Sequence, residues 1–379
     1  MEIDRKKYMS GIKRMVVKIG SSSLTTESGR LDRASIKKFV NEVSLLTRKG
    51  MEIIVVTSGA VAAGLESLGI SKKPDDLTLL QAAASIGQVK LMSLYSELFS
   101  KNNIKIGQIL LTHEDTTRRQ QYLNISNTIR SLISLKVIPV INENDSVATD
   151  EIKFGDNDRL AAMVAVLAEA DILVILTDIE GMYDKDPRIY SDAKLISFID
   201  KIDKDIEDAA GGIGSTYGIG GMQSKIKAAK ICSFSGMGTV IAGSRVKNIL
   251  NKIISGDEVG TFFAPRTGKK VKSVKKWIAF GKRTTGIIVI DKGAEEAVLN
   301  KGKSVLPVGV VEVRGKFSRG DTLEVLSPEG KLIAKGITNF SSEELEKIKG
   351  KNRKKILSEF GASMCDEVIH RDGLVVFYE

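Results

Sequence analysis

Six short apolar runs, separated by stretches with helical spacing, constrain the fold of this chain more than any other feature. Most of them are continuously apolar, which is typical of strands that are buried on both faces of a sheet. The runs are residues 15–19, 53–56, 104–111, 137–141, 172–176 and 238–241. Because they alternate with helical patterns, they predict an α/β fold around a mainly parallel, doubly covered sheet.

Helical spacing between these runs predicts the covering helices. The segments are residues 32–49, 60–68, about 77–101 and 125–135. Asp32 stands where the first of them begins and is suited to cap its free backbone N–H groups. The helix of residues 60–68 is rich in small residues, so it can pack closely against a neighbour.

The pattern changes after residue 263. Residues 269–276 form a basic segment that resembles a linker, and short β-like runs follow at residues 286–290, 309–313 and 374–378. Glycine turns at residues 319–321 and 328–331 lie between these runs. A second, smaller, mostly β domain with a barrel-like form is therefore expected.

Composition sets the outer bounds. A chain of 379 residues predicts two or three domains, and no apolar stretch approaches the ~20 residues that span a bilayer. The charged N-terminus lacks the apolar core of a signal peptide. Two cysteines, Cys232 and Cys365, are too few for a disulfide framework. These features predict a cytoplasmic protein.

Two acidic-amide runs indicate a ligand site. Residues 142–145 (Asn-Glu-Asn-Asp) follow the apolar run 137–141, and residues 155–158 (Gly-Asp-Asn-Asp) precede a helical pattern at 160–167. Ligands of α/β sheets bind at the carboxyl ends of strands and at helix N-termini. Either run alone would more often form a surface turn. Their pairing beside a buried strand favours the functional interpretation.

Two loops of small residues suit anion binding. Lys18 ends the first strand just before residues 20–23 (Gly-Ser-Ser-Ser), where backbone N–H groups can approach phosphate oxygens. Residues 57–64 repeat this arrangement where the second strand meets a helix N-terminus. The alternatives are a lysine at a strand edge beside a turn, and a small-residue helix packing closely on the sheet.

Two later segments suit a nucleotide. Thr177 and Asp178 end the run 172–176, where the carboxylate could bind a base or ribose or cap a turn. Residues 218–225 (Gly-Ile-Gly-Gly-Met-Gln-Ser-Lys) combine glycines with Lys225, which could supply charge to a transferring group. The spacing is not that of a Walker A loop, and a flexible surface loop is the alternative.

One reaction would use all of these pieces. Lys18 and Lys225 could neutralise negative charge as a phosphoryl group passes from a nucleotide to an anionic acceptor, a reaction that depends on positioning and electrostatics. The acceptor would be held by Ser58, Asp145 and Asn157. Asp158 or Asp156 could orient the lysines or help to hold Mg²⁺, which prefers oxygen ligands.

Five ordered motifs carry a family resemblance. They are residues 17–22 (Val-Lys-Ile-Gly-Ser-Ser), 56–60 (Val-Thr-Ser-Gly-Ala), 141–145 (Ile-Asn-Glu-Asn-Asp), 154–158 (Phe-Gly-Asp-Asn-Asp) and 220–225 (Gly-Gly-Met-Gln-Ser-Lys). In this order they resemble the glutamate 5-kinases of the amino-acid kinase superfamily. Residues 306–321 resemble the PUA domain that many members carry.

This resemblance implies a fold, an organisation and an activity. The fold is a three-layer sandwich around a mainly parallel sheet, in an amino-acid kinase domain of residues 10–265. A basic linker at 266–276 and a PUA-like domain at 277–379 follow. The activity is phosphorylation of the γ-carboxylate of L-glutamate by ATP with Mg²⁺, giving L-glutamyl 5-phosphate, the first step of proline biosynthesis. A homo-oligomer, dimer or tetramer, is also implied.

The resemblance also assigns residue roles. Lys18, Lys225 and Asp158 would be catalytic, with Asp158 organising the two lysines, and Ser58, Asp145 and Asn157 would bind glutamate. The ATP-binding set would be Lys18, Thr177, Asp178, Ile219, Gly220, Gly221, Met222, Gln223, Ser224 and Lys225. No metal ligands are assigned.

Two alternatives remain open from the sequence. A related kinase could phosphorylate another small acid, although the polar segment of residues 112–124 resembles a substrate-proximal loop of glutamate 5-kinases. The chain could instead bind RNA through its PUA-like domain, because the net charge is +10 and residues 271–379 hold 20 Lys and Arg against 15 Asp and Glu.

Overall fold

The structure, a computed structural model, describes residues 3–26, 28–148, 157–187, 189–210, 221–266, 273–282, 284–360 and 367–377. The described chain divides into two compact units. The first is drawn from Met1–Thr116 and Gln120–Lys270, and the second from Thr117–Arg119 and Val271–Glu379.

An eight-stranded sheet organises the first unit. Its strands are β1 (Arg14–Ile19), β2 (Glu52–Val56), β3 (Lys105–Leu111), β4 (Val137–Glu143), β5 (Ile172–Thr177), β6 (Phe198–Ile199), β7 (Gly238–Gly243) and β8 (Thr261–Phe263). The spatial order is β3-β4-β2-β1-β5-β7-β8-β6. The first six strands in this order are mutually parallel, and only the pairing of β7 with β8 is antiparallel. The prediction of a mainly parallel sheet is confirmed.

Helices cover both faces of this sheet. They are α1 (Arg5–Ser10), α2 (Ser21–Leu24), α3 (Arg33–Arg48), α4 (Ala60–Ser67), α5 (Leu77–Ser100), α6 (His113–Thr117), α7 (Arg119–Ser134), α8 (Asp158–Leu167), α9 (Lys204–Ala210), α10 (Met222–Phe234) and α11 (Ile249–Ile254). Helices α3, α5 and α11 share one buried core with Met15, Val17 and Ile19 of β1. Because side chains alternate along a strand, Val16 and Lys18 face the opposite layer, which contains α8.

Strand register brings the polar residues of the sequence to one edge. Lys18 pairs with Val56 of β2, and Ile19 pairs with Leu176 of β5. Val56 pairs in turn with Ile141 of β4. The segments that leave β1, β2, β4 and β5 therefore start side by side, at the carboxyl edge where α/β sheets bind ligands.

The observed helices differ from the predicted ones mainly at their ends. The helix predicted at residues 32–49 is α3, and the Asp32 side chain accepts hydrogen bonds from the backbone N–H groups of Ala34 and Ser35. The helix expected from residue 125 starts earlier, as α7 at Arg119. The polar segment 112–124, expected to be a loop, is largely helical, because α6 and the start of α7 lie in it.

A five-stranded sheet organises the second unit. Its strands are β9 (Thr284–Ile290), β10 (Val310–Arg314), β11 (Thr322–Leu326), β12 (Leu332–Thr338) and β13 (Ile369–Val376), in the order β10-β9-β11-β12-β13. Of the pairs between these strands, β9 with β11 is parallel and the others are antiparallel. Helices α12 (Ser273–Lys276), α13 (Lys292–Lys301), α14 (Ser342–Ile348) and α15 (Arg353–Phe360) accompany them. The prediction of a smaller, mostly β second domain is confirmed.

The segment predicted as a basic linker is only partly described. Residues 267–272 lie outside the described residues, and α12 occupies the last four positions of the segment. The predicted boundaries at residues 265 and 277 stay predictions. Within the described part of the chain, no helix is both long and apolar enough to cross a bilayer.

Candidate active site

A buried carboxylate between two lysines forms the centre of the site. The Nζ atom of Lys18 lies 2.6 Å from Oδ1 of Asp158, and Nζ of Lys225 lies 3.0 Å from Oδ2. Ser224 donates a further hydrogen bond from its Oγ to Oδ2, at 2.9 Å. The three charged residues are all buried, and Asp158 is 0% exposed. The cluster therefore carries two positive charges and one negative charge away from bulk water.

Three different elements supply these side chains. Lys18 is the second-last residue of β1, Asp158 is the first residue of α8, and Lys225 lies in the first turn of α10. Asp158 is stabilised at this position because a helix N-terminus favours negative charge. The contact between Lys18 and Asp158 follows from strand alternation, which turns Lys18 towards the α8 layer.

Lys18 lies beside Gly20, where an added Cβ atom would make an ordinary van der Waals contact with Nζ, at 3.5 Å. The strand-edge alternative for Lys18 is not what the structure shows, since the ammonium group is buried in an ion pair.

The amide of Asn157 organises the neighbouring region. The two hydrogens of its Nδ2 are shared among three acceptors: the backbone oxygen of Thr57 at 2.6 Å, Oγ of Ser58 at 3.1 Å and Oδ1 of Asn142 at 2.8 Å. Nδ2 of Asn142 then donates to Oε1 of Gln88 at 2.8 Å. These contacts join the carboxyl ends of β2 and β4 to the residue that precedes Asp158.

The side chain of Thr57 is held by a hydrogen bond with a buried tyrosine. Its Oγ1 lies 3.0 Å from the hydroxyl of Tyr95, which is fully buried on α5. Burial raises the pKa of the Tyr95 phenol well above its usual value, so the hydroxyl stays protonated at any physiological pH.

A cavity of about 640 Å³ opens on this amide cluster. Ser58, Asp145 and Asn157, the three predicted acceptor-binding residues, all line it. Asn142 and Glu143 line it as well, together with Arg30 and Lys73 from surrounding loops and Glu66 of α4. A hydrogen bond from Lys90 lowers the pKa of the Glu66 carboxyl, which keeps it ionised. The cavity thus offers both acidic and basic groups, as a zwitterionic ligand would need.

Close helix packing sets one wall of this cavity. Gly59, with φ of +104°, caps α4 directly after Ser58. A Cβ atom at Gly64 would lie 1.7 Å from the backbone oxygen of Ala83, and one at Gly87 would lie 1.8 Å from that of Ala60. The expected close packing of the small-residue helix therefore exists, and its partner is α5. It places the α4 N-terminus at the cavity.

The described residues of the predicted nucleotide-binding segments lie at the carboxyl end of β5 and at the start of α10. Thr177 is buried and its Oγ1 donates to Oδ1 of Asp178 at 2.9 Å, while Asp178 itself is exposed. Gly221 is the N-cap of α10, and no side chain caps this helix in the described structure. The first helical residues are Met222, Gln223 and Ser224, whose N–H groups suit an anion. Ile219 and Gly220 lie outside the described residues, as do Gly155 and Asp156.

Sequence reasoning missed several residues of the site. Asn142 and Glu143 stood in a recognised run but were assigned no role, although their place directly after a buried strand was a usable signal. Gln88, Arg30 and Lys73 gave no local signal, because only the fold brings them near β4. Among the described residues, no group of three or more His, Cys, Asp or Glu side chains is placed to hold a metal ion.

Comparison with known proteins agrees with this architecture. Residues 13–243 match the model of the amino acid kinase family, and residues 286–360 match that of the PUA domain. The first match covers more than half of the chain. The chain belongs to the amino acid kinase family and carries a PUA domain.

Full-length relatives narrow the assignment within that family. The glutamate 5-kinase of Caldanaerobacter subterraneus subsp. tengcongensis is 48% identical over 363 residues, which cover 96% of this chain and 97% of the relative. That of Syntrophotalea carbinolica is 44% identical over 372 residues, covering 98% and 99%. That of Pseudomonas putida strain F1 is 45% identical over 368 residues, covering 97% and 99%. These relatives place the chain among the glutamate 5-kinases.

Proposed function

We propose that this chain transfers the terminal phosphoryl group of ATP to the γ-carboxylate of L-glutamate. The product is L-glutamyl 5-phosphate, and the reaction is the first step of proline biosynthesis. ATP is the co-substrate that the kinase family implies, and relatives of nearly full length are named glutamate 5-kinase. The alternative of another small acid as acceptor has no comparable support.

The Lys18–Asp158–Lys225 cluster is the observation that carries the proposed mechanism. A carboxylate is already a competent nucleophile at neutral pH, so the reaction needs no general base. It needs positive charge where the phosphoryl group is transferred, and it needs both anionic substrates to be positioned. Asp158 would hold the two ammonium groups in place while leaving a net positive charge for the phosphate oxygens.

The two substrates would approach the cluster from different sides. Ser58, Asp145 and Asn157 would bind glutamate in the cavity, with the Asp145 carboxylate suited to the α-ammonium group. ATP would bind at Thr177, Asp178 and the α10 N-terminus. Ile219 and Gly220 lie outside the described residues, and their proposed role in binding the nucleotide comes from the sequence alone.

Mg²⁺ would enter with the nucleotide. Both oxygens of Asp158 already contact ammonium groups, so this carboxylate is better suited to orienting the lysines than to binding metal. Mg²⁺ commonly keeps several waters and binds through substrate phosphates. The residues described here fit an ion held chiefly by the ATP phosphate oxygens, where it would screen their charge.

A coupled assay of ADP release tests the function. Glutamate, aspartate, N-acetylglutamate and UMP serve as acceptors, and we expect turnover that depends on glutamate and on Mg²⁺. Lys18→Ala and Lys225→Ala should each lower kcat by about a hundredfold or more, because each removes charge from the transferring group.

Lys227→Ala is the matched control, since Lys227 lies on the same helix as Lys225 but is exposed. It should turn over at the wild-type rate. Preference for another acceptor would refute the proposed substrate. Wild-type rates in both buried-lysine variants would refute the proposed mechanism while leaving the substrate assignment intact.

A further inference from the structure

A chain of three side-chain amides runs from the cavity to helix α5. The Nδ2 atom of Asn157 donates to Oδ1 of Asn142, and Nδ2 of Asn142 donates to Oε1 of Gln88, each at 2.8 Å. Asn157 and Asn142 are 5% and 1% exposed, so water competes little for these bonds. The two bonds link residues from β4, α5 and the start of α8.

A backbone carbonyl at one end and the Gln88 oxygen at the other hold this chain in one direction. The oxygen of Thr57 can only accept, so the Asn157 atom that lies 2.6 Å from it must be the Nδ2 donor. The same Nδ2 faces Asn142, which must therefore present its Oδ1. The other end of Asn142 is then a donor, and Gln88 must present an acceptor. Each amide can satisfy its neighbour in one orientation only.

Gln88 lies outside the cavity and contacts Asn142, which lines it. It follows Gly87 at the close crossing of α4 and α5, and it is absent from the cavity lining. Its Nε2 is buried, and the described residues give that atom no hydrogen-bond partner. Among the described residues, the bond from Asn142 to Oε1 is therefore the contact that orients the Gln88 amide.

The direction of the chain decides what the cavity offers to a ligand. With its Nδ2 committed to Thr57, Ser58 and Asn142, Asn157 retains Oδ1, on which no donor lies within the described structure. An amide oxygen accepts hydrogen bonds and cannot donate them. Glutamate has one group that only donates, its α-ammonium group. The two carboxylates of glutamate can only accept.

We propose that Gln88 is a positioning residue for amino-acid recognition. Through Asn142 it holds the Asn157 amide with the oxygen directed to the α-ammonium group of the acceptor. This inference rests on the proposed function, in which the cavity binds glutamate. It assigns to a residue of α5 a part in selecting acceptors that carry a free amino group.

Gln88→Met tests the proposal, because methionine has a similar size and supplies no comparable acceptor. We expect the KM for glutamate to rise about tenfold, the equivalent of one lost buried hydrogen bond. The KM for ATP should stay within about twofold. Glutarate lacks the amino group, so its inhibition constant against glutamate should also change less than about twofold. Gln108→Met removes an exposed glutamine of β3 and should leave all three constants unchanged.

Gln88→Glu provides the rescue variant, since a carboxylate keeps an oxygen for Asn142 to donate to. The KM of Gln88→Glu for glutamate should lie below that of Gln88→Met. If the methionine variant does not fold, the glutamate variant is compared with wild type instead. Equal weakening of glutamate and glutarate, or a glutamate KM for Gln88→Glu as high as for Gln88→Met, would overturn the positioning role. Wild-type enzyme without glutamate-dependent turnover would instead overturn the proposed function.

Discussion

At the residue scale, Asp158 explains how two lysines can be buried together. Two ammonium groups held side by side without a counter-charge would repel each other and lose hydration. Asp158 contacts both, at 2.6 Å and 3.0 Å, and lies at a helix N-terminus. The arrangement directs the ammonium groups of Lys18 and Lys225 to one carboxylate, and the proposed phosphoryl transfer needs positive charge placed in this way.

The Asp158→Asn substitution removes the negative charge of this side chain and keeps its shape. We expect kcat to fall by about a hundredfold or more, because the lysines lose the group that positions them. The free energy of unfolding should also fall, by about 3 kcal/mol, since two buried cations remain without their anion. Turnover and urea unfolding measure the two effects.

Asp205→Asn, at an exposed position on α9, is the control and should behave as wild type. A fully active Asp158→Asn enzyme would show that the carboxylate does not organise the lysines.

The charged members of the site were predictable from the sequence because each stands next to a recognisable strand end or helix start. Lys18, Asp158 and Lys225 all have such neighbours. The amide contact between Asn142 and Gln88 was not predictable in the same way. Gln88 lies 54 residues from Asn142, and nothing in a local pattern reports a hydrogen bond that only the folded sheet creates.

At the element scale, the crossing of α4 and α5 positions the N-terminus of α4 at the cavity. The two helix backbones touch because Gly64 and Gly87 have no side chains. Gly64→Ala should therefore destabilise the first unit by about 3 kcal/mol or more, as overpacking against a backbone cannot relax easily.

Thermal or urea unfolding measures this loss, with Gly11→Ala as control, because a Cβ at Gly11 meets its nearest atom at 3.6 Å. Equal stability of the Gly64→Ala variant and wild type would contradict the close crossing.

Tyr8 connects α1 to the start of β7 and to the residue before β5, and its buried hydroxyl makes the stability of the fold sensitive to alkaline pH. Its hydroxyl donates to the backbone oxygen of Asp171 and accepts from the N–H of Gly238. Burial raises its pKa to about 12, above the usual value of 10.0. The folded state thus holds the proton more tightly. This contribution to stability is complete below pH 10 and is lost as the pH rises through 12.

Two pKa units correspond to about 2.7 kcal/mol. Urea unfolding at pH 8, 10 and 12 should show that Tyr8→Phe is less stable at pH 8 yet loses less stability than wild type between pH 10 and 12. Tyr190→Phe, which removes an exposed phenol, should follow the wild-type curve. Parallel curves for wild type and Tyr8→Phe would contradict the assigned cause.

Six strands of the sheet were predictable, whereas the two strands beyond β7 were not. Apolar runs identified β1, β2, β3, β4, β5 and β7. Strands β6 and β8 have two and three residues, too few for any periodicity to show. In the second unit, the hairpin of β11 and β12 was represented only by its glycine turn. The alternation of Leu323 and Val325 with polar residues was a signal that could have identified β11.

At the scale of the whole molecule, the chain combines an amino acid kinase domain with a PUA domain. Binding of RNA by the PUA domain stays a prediction, as does assembly into a homo-oligomer. A cavity of about 640 Å³ in this second unit has a mixed lining: the basic side chains of Lys303 and Arg371, the carboxylates of Asp291 and Glu367, His370, and the half-exposed Leu306 and Val308. Lys303 and Arg371 are the side chains of this cavity that could contact a phosphate backbone.

Fluorescence anisotropy with a labelled RNA stem-loop and the full chain tests whether the protein binds RNA. The protein should bind the RNA at 50 mM salt, and its affinity should be about tenfold lower at 200 mM. The reason is that the release of counterions from the phosphates drives binding. Lys303→Ala and Arg371→Ala should each weaken binding, and Lys37→Ala, an exposed change in the kinase domain, should not. Failure to bind at low salt would remove the RNA hypothesis.

Chemical trapping of the product tests the central claim most directly. Acyl phosphates react with hydroxylamine, so turnover of ATP and glutamate in its presence should yield γ-glutamyl hydroxamate in step with ADP. The Lys18→Ala and Lys225→Ala variants should form about a hundredfold less, and Lys227→Ala as much as wild type. Release of ADP without hydroxamate, or hydroxamate formed at the wild-type rate by either buried-lysine variant, would contradict phosphoryl transfer to the γ-carboxylate at this cluster.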